Sequence, residues 1–248
     1  MITPRHFAIS DVGKRHHNED AYCIDPECGL YVVADGMGGH SSGEVASNLA
    51  VETIRNFFRD HVGDEAITWP WGMDSGMSLT ENKVCVAVRM ANRAVLSTAV
   101  DEHRGMGTTV VVMAKIEDRV VIGHIGDSRA YLLRDGKLIQ LTRDHSLCNM
   151  MRDEGHEVTD EAMAKYSNII TRALGMNAEN DRPELTGIAP KLGDVFLLCT
   201  DGLHDSVSEE EMIALLERED GEYACQMLVK KAIEGGSSDN ITAVIVRL

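Results

Sequence analysis

The sequence of 248 residues predicts an α+β fold in which two packed sheets are flanked by helices. Three observations predict it. Apolar segments of strand length are more numerous than one sheet could easily cover. Four of them follow one another between Thr108 and Leu141 with tight turn signals between, which implies antiparallel pairing. Segments with helical spacing come in pairs on either side of that run.

Taken in order, the first part is strand-rich and ends in Gly29–Asp35 (GLYVVAD), a short buried strand running into glycines. Gly43–Arg59 carries apolar residues at Val45, Ala46, Leu49, Ala50, Ile54, Phe57 and Phe58, the spacing of a helix. Asp60–Gly76 reads as a loop in which Trp69 and Trp71 either form a partner-binding patch or, more commonly, pin the loop to the core. Ser78-Leu79-Thr80-Glu81 has capping-box form and opens a second helix that reaches about Val100. Strands are predicted at Thr108–Ile116, Arg119–Ile125, Arg129–Leu133 and Lys137–Leu141. They are separated by Glu117-Asp118, by Gly126-Asp127, read as a hairpin turn, and by Arg134-Asp135-Gly136. Arg143–Gly175 is polar and less regular. Val195–Thr200 is a buried strand, Ser208-Glu209-Glu210-Glu211 caps a helix, Glu222–Ile233 is another, and Ile241–Val246 ends the chain as a strand. No repeat, low-complexity tract or linker divides this series, so a single domain over 1–248 is expected.

The formal net charge of −16 argues against a nucleic-acid backbone as partner, because that binding needs clustered Lys and Arg. No apolar run approaches the roughly 20 residues that span a bilayer, and the N-terminus lacks a signal pattern. A cytoplasmic monomer without membrane or nucleic-acid partners is expected. The 6 cysteines fit a reducing compartment, with Cys23, Cys85, Cys199 and Cys225 in apolar segments and no paired pattern that would bind zinc.

Acidic residues recur where buried strands end. Arg15-His16-His17-Asn18-Glu19-Asp20, Asp35-Gly36-Met37-Gly38-Gly39-His40, Thr200-Asp201-Gly202, Ser238-Asp239-Asn240 and Gly126-Asp127-Ser128-Arg129 are the strings concerned. Each alone is a good turn sequence. Together they suggest more, because a carboxylate at the mouth of a buried strand is costly unless paired or metal-bound. Several such carboxylates repel one another until divalent cations join them. Gly36 leaves its carbonyl open as a further oxygen ligand. Carboxylate, carbonyl and water, without convergent Cys or His, select Mn²⁺ or Mg²⁺ over Zn²⁺. Two such ions about 3.5–4 Å apart can clamp a phosphoester for in-line displacement, and Arg15 can supply a planar donor for phosphate oxygens.

In order and wording these strings resemble the bacterial branch of the type 2C (PPM) metal-dependent serine/threonine phosphatases. The resemblance also covers Gly105-Met106-Gly107-Thr108-Thr109, Leu141-Thr142-Arg143-Asp144-His145-Ser146 and Ile170-Thr171-Arg172-Ala173-Leu174-Gly175, and so nearly the whole chain. It implies an α/β/β/α four-layer sandwich of two mostly antiparallel sheets flanked by helix pairs. It further implies that Asp35 bridges two metals with the Gly36 carbonyl on one of them. Asp201 and Asp239 hold the other metal, and Glu19 and Asp20 complete the cluster. Arg15 binds the substrate phosphate, while Asp127 with Asp201 holds a third, weaker metal. The stretch 143–175 is the flap where substrate choice is made. The reaction implied is attack of metal-activated water on phosphoserine or phosphothreonine of phosphoprotein substrates, opposing a cognate serine/threonine kinase.

The chain departs from the family in places. Met37 stands where many eukaryotic relatives have a histidine proposed as general acid, which leaves a bound water or His40 as proton donor. His204 follows Asp201-Gly202-Leu203, where packing is its commoner role. Ala164-Lys165-Tyr166-Ser167-Asn168 replaces a His-Pro form common in the bacterial branch, so substrate preference does not transfer. Two alternative readings stay open at this point: an inactive fold that only binds phosphoproteins, and an enzyme for small phosphoesters.

Overall fold

The computed structural model describes residues 3–39, 42–62, 69–178 and 181–248. His40, the candidate proton donor, lies outside the described residues. Two sheets form the centre. One has the order β1 (Arg5–Asp11), β11 (Ile241–Arg247), β10 (Val195–Cys199), β7 (Arg129–Arg134) and β8 (Lys137–Gln140). The other has the order β2 (Asp20–Asp25), β3 (Leu30–Met37), β5 (Val110–Ile116), β6 (Arg119–Ile125) and β9 (Glu184–Ile188), with the short β4 (Gly107–Thr108) also on β3. Every described pairing is antiparallel.

The alternation of side chains along the strands accounts for four layers. Leu30, Val32 and Ala34 face the helices α1 (Ser42–Asp60) and α2 (Leu79–Thr98), whereas Tyr31 and Val33 face the opposite sheet. In β10, Val195, Leu197 and Cys199 face α5 (Asp201–His204), α6 (Glu209–Leu216) and α7 (Gly221–Glu234), and Phe196 and Leu198 face inward. Strands buried on both faces need to be apolar throughout, which is why they read as continuous runs.

Ser78 and Ser208 both make the predicted capping boxes. Trp69 and Trp71 pack against the core beneath α1 and α2, and the Trp71 ring lies 4.1 Å from the Arg89 guanidinium and 4.8 Å from that of Arg93. The pair therefore pins its loop. All six cysteines are buried and free.

Two expectations change. Gly126-Asp127 is not a hairpin turn, because β6 and β7 belong to different sheets and do not pair. The turn signal is real, but the chain uses it to cross from one sheet to the other. Gly126 has φ +111°, and a Cβ there would lie 2.6 Å from Thr109. The stretch 143–175 holds two short helices, α3 (Leu147–Asp153) capped by Ser146 and α4 (Asp160–Tyr166) capped by Thr159. Strand β9 has no counterpart in the sequence reading. Its Glu184-Leu185-Thr186-Gly187-Ile188 is half-buried at a sheet edge and carries a glycine, so neither length nor apolar content marks it.

Candidate metal centre and active site

Antiparallel geometry brings the acidic residues to one end of the sandwich. Asp20 begins β2 and Asp35 lies near the end of β3, and the two are direct partners in the ladder. Asp201 follows β10 and Asp239 precedes β11, which pair antiparallel, so both sit at the same end of their sheet. Asp127 lies on the crossover between the sheets. Asp20 and Asp35 are thus delivered by strands, and Glu19, Asp127, Asp201 and Asp239 lie within two residues of a strand end.

The surrounding backbone is held tightly. Thr109 N–H donates to the Asp35 carbonyl at 2.9 Å, and Thr108 Oγ1 donates to it at 2.8 Å. Asp35 N–H donates to Thr109 Oγ1 at 3.0 Å, which in turn meets Ser128 Oγ at 2.7 Å. Gly36 N–H donates to the Glu19 carbonyl at 3.1 Å. Asn240 knits the loop before β2 to the Ser238-Asp239-Asn240 string. Its Oδ1 accepts from Glu19 N–H at 2.8 Å, and its Nδ2 donates to the carbonyls of Val12 and His17 at 2.9 Å each. Gly13, with φ +58°, lets that loop approach, since a Cβ would stand 2.1 Å from the Asp239 carbonyl oxygen.

The electrostatics are those of buried carboxylates crowded together. Burial pushes the Asp35 carboxyl well above the usual carboxylate range, and the charges of Asp20, Asp201, Asp127 and Asp239 push it further. Burial raises Asp20 to about 7, although hydrogen bonds from Thr242 Oγ1 (2.7 Å) and Thr200 Oγ1 (3.0 Å) oppose the shift. Asp127 is raised to about 7 by burial and then by Asp201. Asp201 and Glu19 are raised as well, burial being the first cause in both.

The donor set fits hard divalent ions. Glu19 Oε1, Asp20 Oδ1, Asp127 Oδ1 and Asp201 Oδ1 are buried without a hydrogen-bond partner. Orphaned buried carboxylate oxygens are costly, and four at one place ask for cations. Among the described residues the one arginine paired into this cluster is Arg15, whose Nη2 lies 2.7 Å from Asp239 Oδ2. Its Nε donates to the Ser238 carbonyl at 3.2 Å, and more than half of its side chain faces solvent. All eight predicted residues, Arg15, Glu19, Asp20, Asp35, Gly36, Asp127, Asp201 and Asp239, converge here.

A pH prediction follows. With metals chelated, folding raises the pKa of Asp20 and Asp127 from about 3.9 in the unfolded chain to about 7. The folded state then binds more protons, so stability falls as pH rises through 7. Below about 6.5 the buried, neutral His124 and His145 act in the opposite sense. The unfolding midpoint in EDTA is therefore expected to drop between about pH 6.5 and pH 8, and Mn²⁺ to remove most of the drop. A midpoint in EDTA that is flat or rising across that window contradicts the account.

Sequence reasoning missed the threonines that hold the site, because β-branched residues at strand ends read simply as strand formers. It also missed a second cluster, His124, His145 and Glu184, whose candidate ligand atoms lie within 4.8 Å of one another. The hydrogen bonds oppose a metal there. Gly126 N–H donates to His145 Nδ1 at 2.9 Å, which places the imidazole proton on Nε2, facing Glu184 Oε1 at 2.9 Å. Arg172 Nη1 already occupies the position of a cation, 3.5 Å from Glu184 Oε1. Burial holds His145 down at about 4. The two neutral histidines and the Glu184 carboxylate work as a latch at the base of the 143–175 stretch. His145 N–H donates to the Gly126 carbonyl and Thr171 N–H to the His145 carbonyl, which ties both flap ends to the crossover bearing Asp127. His204 is likewise a packing residue, its buried ring donating from Nε2 to the Asp127 carbonyl at 3.0 Å.

Comparison with known proteins shows what this chain is similar to. The protein phosphatase 2C family matches residues 10–230. The serine/threonine protein phosphatase PstP of Mycobacterium tuberculosis is 36% identical over 97% of this chain, which spans 44% of that protein. The serine/threonine phosphatase stp of Listeria monocytogenes is 34% identical, with 94% of this chain and 90% of that protein covered. A crystal structure of the M. tuberculosis PstP superposes with a TM-score of 0.84 at 35% identity, covering 100% of this chain and 99% of that one. The PstP catalytic domain in complex with two manganese ions gives 0.81 at 35% identity, covering 98% and 97%.

Proposed function

The chain belongs to the protein phosphatase 2C family, and from that premise we propose that it is a metal-dependent protein serine/threonine phosphatase built as one catalytic domain. The observation that carries the reading is the set of orphaned carboxylate oxygens around Asp35. Asp35 would be the carboxylate shared by two Mn²⁺ or Mg²⁺ ions, with the Gly36 carbonyl as an additional ligand. Asp201 and Asp239 serve the second ion, and Glu19 and Asp20 complete the set. Asp127, whose Oδ1 is buried and unpartnered, serves a third ion together with Asp201. The manganese pair in the PstP catalytic domain supports this choice of metal.

When bound, the metals supply a water of lowered pKa and Lewis-acid stabilisation of the phosphoryl oxygens. The chain itself does the positioning. Thr108 and Thr109 fix the Asp35 backbone, Thr200 and Thr242 hold Asp20 Oδ2, and the crossover fixes Asp127. Arg15, its side chain half exposed, keeps Nη1 without a hydrogen bond among the described residues, a donor left for a substrate phosphate. Met37 has no proton to give the leaving alkoxide. Because the substrate carries phosphoserine or phosphothreonine, a serine/threonine kinase must supply it.

Arg15→Ala is expected to raise KM by about tenfold with a smaller change in kcat, as loss of a charge-assisted hydrogen bond to phosphate requires. Arg15→Lys should recover only part of it. An unchanged KM in Arg15→Ala would remove Arg15 from substrate binding. The test of the whole reading is phosphate release from a phosphothreonine peptide with Mn²⁺ and with excess EDTA. Release with Mn²⁺ alone is expected. Hydrolysis of p-nitrophenyl phosphate but of no phosphopeptide would mark a small-molecule phosphoesterase, and no hydrolysis of either would mark a phosphoprotein binder.

A further inference from the structure

A cavity of about 470 Å³ lies between the flap helices and the acidic centre, and Asp127 forms part of its wall. Its remaining lining is mostly polar, so it does not suit an apolar side chain. What it does suit follows from how its charges are paired. Arg129 is bound bidentately by Asp144 at 2.9 and 2.6 Å. Arg143 is bound in the same way by Asp153 at 2.7 and 2.8 Å. Asp205 lies 3.0 Å from His204 Nδ1, and Asp127 is turned toward the metals in the reading above.

Arg152 on α3 differs from these. Its Nη1 donates to Asn149 Oδ1 at 2.8 Å and its Nη2 to Met163 Sδ at 3.0 Å, both uncharged partners. Among the described residues it has no carboxylate partner. A thioether is a weak acceptor on a flexible side chain, and an anion binds a guanidinium more strongly and in two-pronged geometry. The wall of the cavity thus presents one uncompensated cation beside the centre, on a chain whose overall charge is −16.

We propose that this cavity takes an anionic side chain of the phosphopeptide substrate, close in sequence to the phosphoresidue, and that Arg152 is the residue that selects it. The inference rests on the phosphatase reading and adds a substrate class to it: phosphoserine or phosphothreonine sites with an acidic residue or a second phosphoresidue nearby. The selection is local. The field of the whole chain repels acidic peptides, so raising the salt should weaken both effects at once.

The test uses phosphothreonine peptides that carry Glu, phosphoserine, Ala or Lys at each flanking position in turn, with Mn²⁺ present. At the preferred position the Glu peptide is expected to show about fivefold higher kcat/KM than the Ala peptide, the effect of one partly exposed ion pair, and the Lys peptide to fall below both. A phosphoserine peptide that outruns the Glu peptide identifies doubly phosphorylated sites as the better ligand, and the reverse order identifies carboxylates. Arg152→Ala should level the series, and Arg152→Glu should invert it in favour of Lys. Each is read as a ratio between peptides on one enzyme sample, which a partly unfolded preparation does not alter. If wild type hydrolyses all peptides equally, or the ratios survive Arg152→Glu, the inference falls and the phosphatase reading stands. If wild type releases phosphate from no peptide with Mn²⁺, both fall.

Discussion

Asp35→Asn is expected to lower kcat by about a thousandfold or more while leaving the unfolding midpoint in EDTA unchanged or higher. The two halves of this expectation come from the same geometry. Asp35 is the ladder partner of Asp20 and feels four neighbouring carboxylates, so with metals absent its charge is a burden that burial makes worse. Asn keeps the shape, and the backbone groups that Thr108 and Thr109 hold are untouched. What is lost, on the proposed reading, is the carboxylate that would be shared by two cations, and with it the water they would activate. Circular dichroism melts in EDTA and single-turnover rates in Mn²⁺ measure the two halves. A variant that turns over at the wild-type rate would move the bridging role elsewhere, and one that melts far below wild type in EDTA would show that the carboxylate is structural.

Gly36→Ala carries the second large effect, and it acts through packing. A Cβ at Gly36 would meet the Gly43 carbonyl oxygen at 2.1 Å, its carbonyl carbon at 2.4 Å and the Glu19 carbonyl oxygen at 2.6 Å. All three are backbone atoms, so no rotamer change relieves the clash. The start of α1 and the Glu19-Asp20 segment must move apart, and both are fixed: Ser47 Oγ donates to the Glu19 carbonyl at 2.6 Å, and Asn240 grips Glu19 N–H. Overpacking of this kind typically costs about 1–3 kcal/mol. A displacement of about 1 Å in catalytic groups costs about a hundredfold in rate. Gly36→Ala is therefore expected to lose several degrees in unfolding midpoint and at least about a hundredfold in kcat/KM. A variant matching wild type in both would mean that the β3 to α1 junction is looser than the structure shows.

How far the sequence was legible differs between the framework and the site. The helices at Gly43–Arg59 and from Ser78 were readable because their apolar spacing and capping residues are local signals, and both appear with their ends within a few residues. The central strands were readable as strands, but their distribution over two sheets was not. Gly126-Asp127 looks the same in sequence whether the next strand folds back or crosses over, and only the burial of both faces decides which. The acidic residues were legible because a carboxylate directly after a buried strand such as Val195–Cys199 is unusual enough to demand a partner. The residues that brace them were not. Thr200, Thr242 and Asn240 act over separations of 180 residues or more, and the His145 latch joins residues from β6, the 143–175 stretch and β9. Nothing local marks a threonine as the donor to an aspartate from the other end of the chain.

The central claim is that the buried carboxylates around Asp35 exist to hold divalent metal. Anomalous diffraction at the manganese edge from crystals soaked in Mn²⁺ tests it most directly. The account predicts two strong peaks bridged by Asp35 and flanked by Asp20, Asp201 and Asp239, and a weaker third between Asp127 and Asp201. Anomalous density absent from this end of the sandwich, or centred on His124, His145 and Glu184 instead, would contradict it.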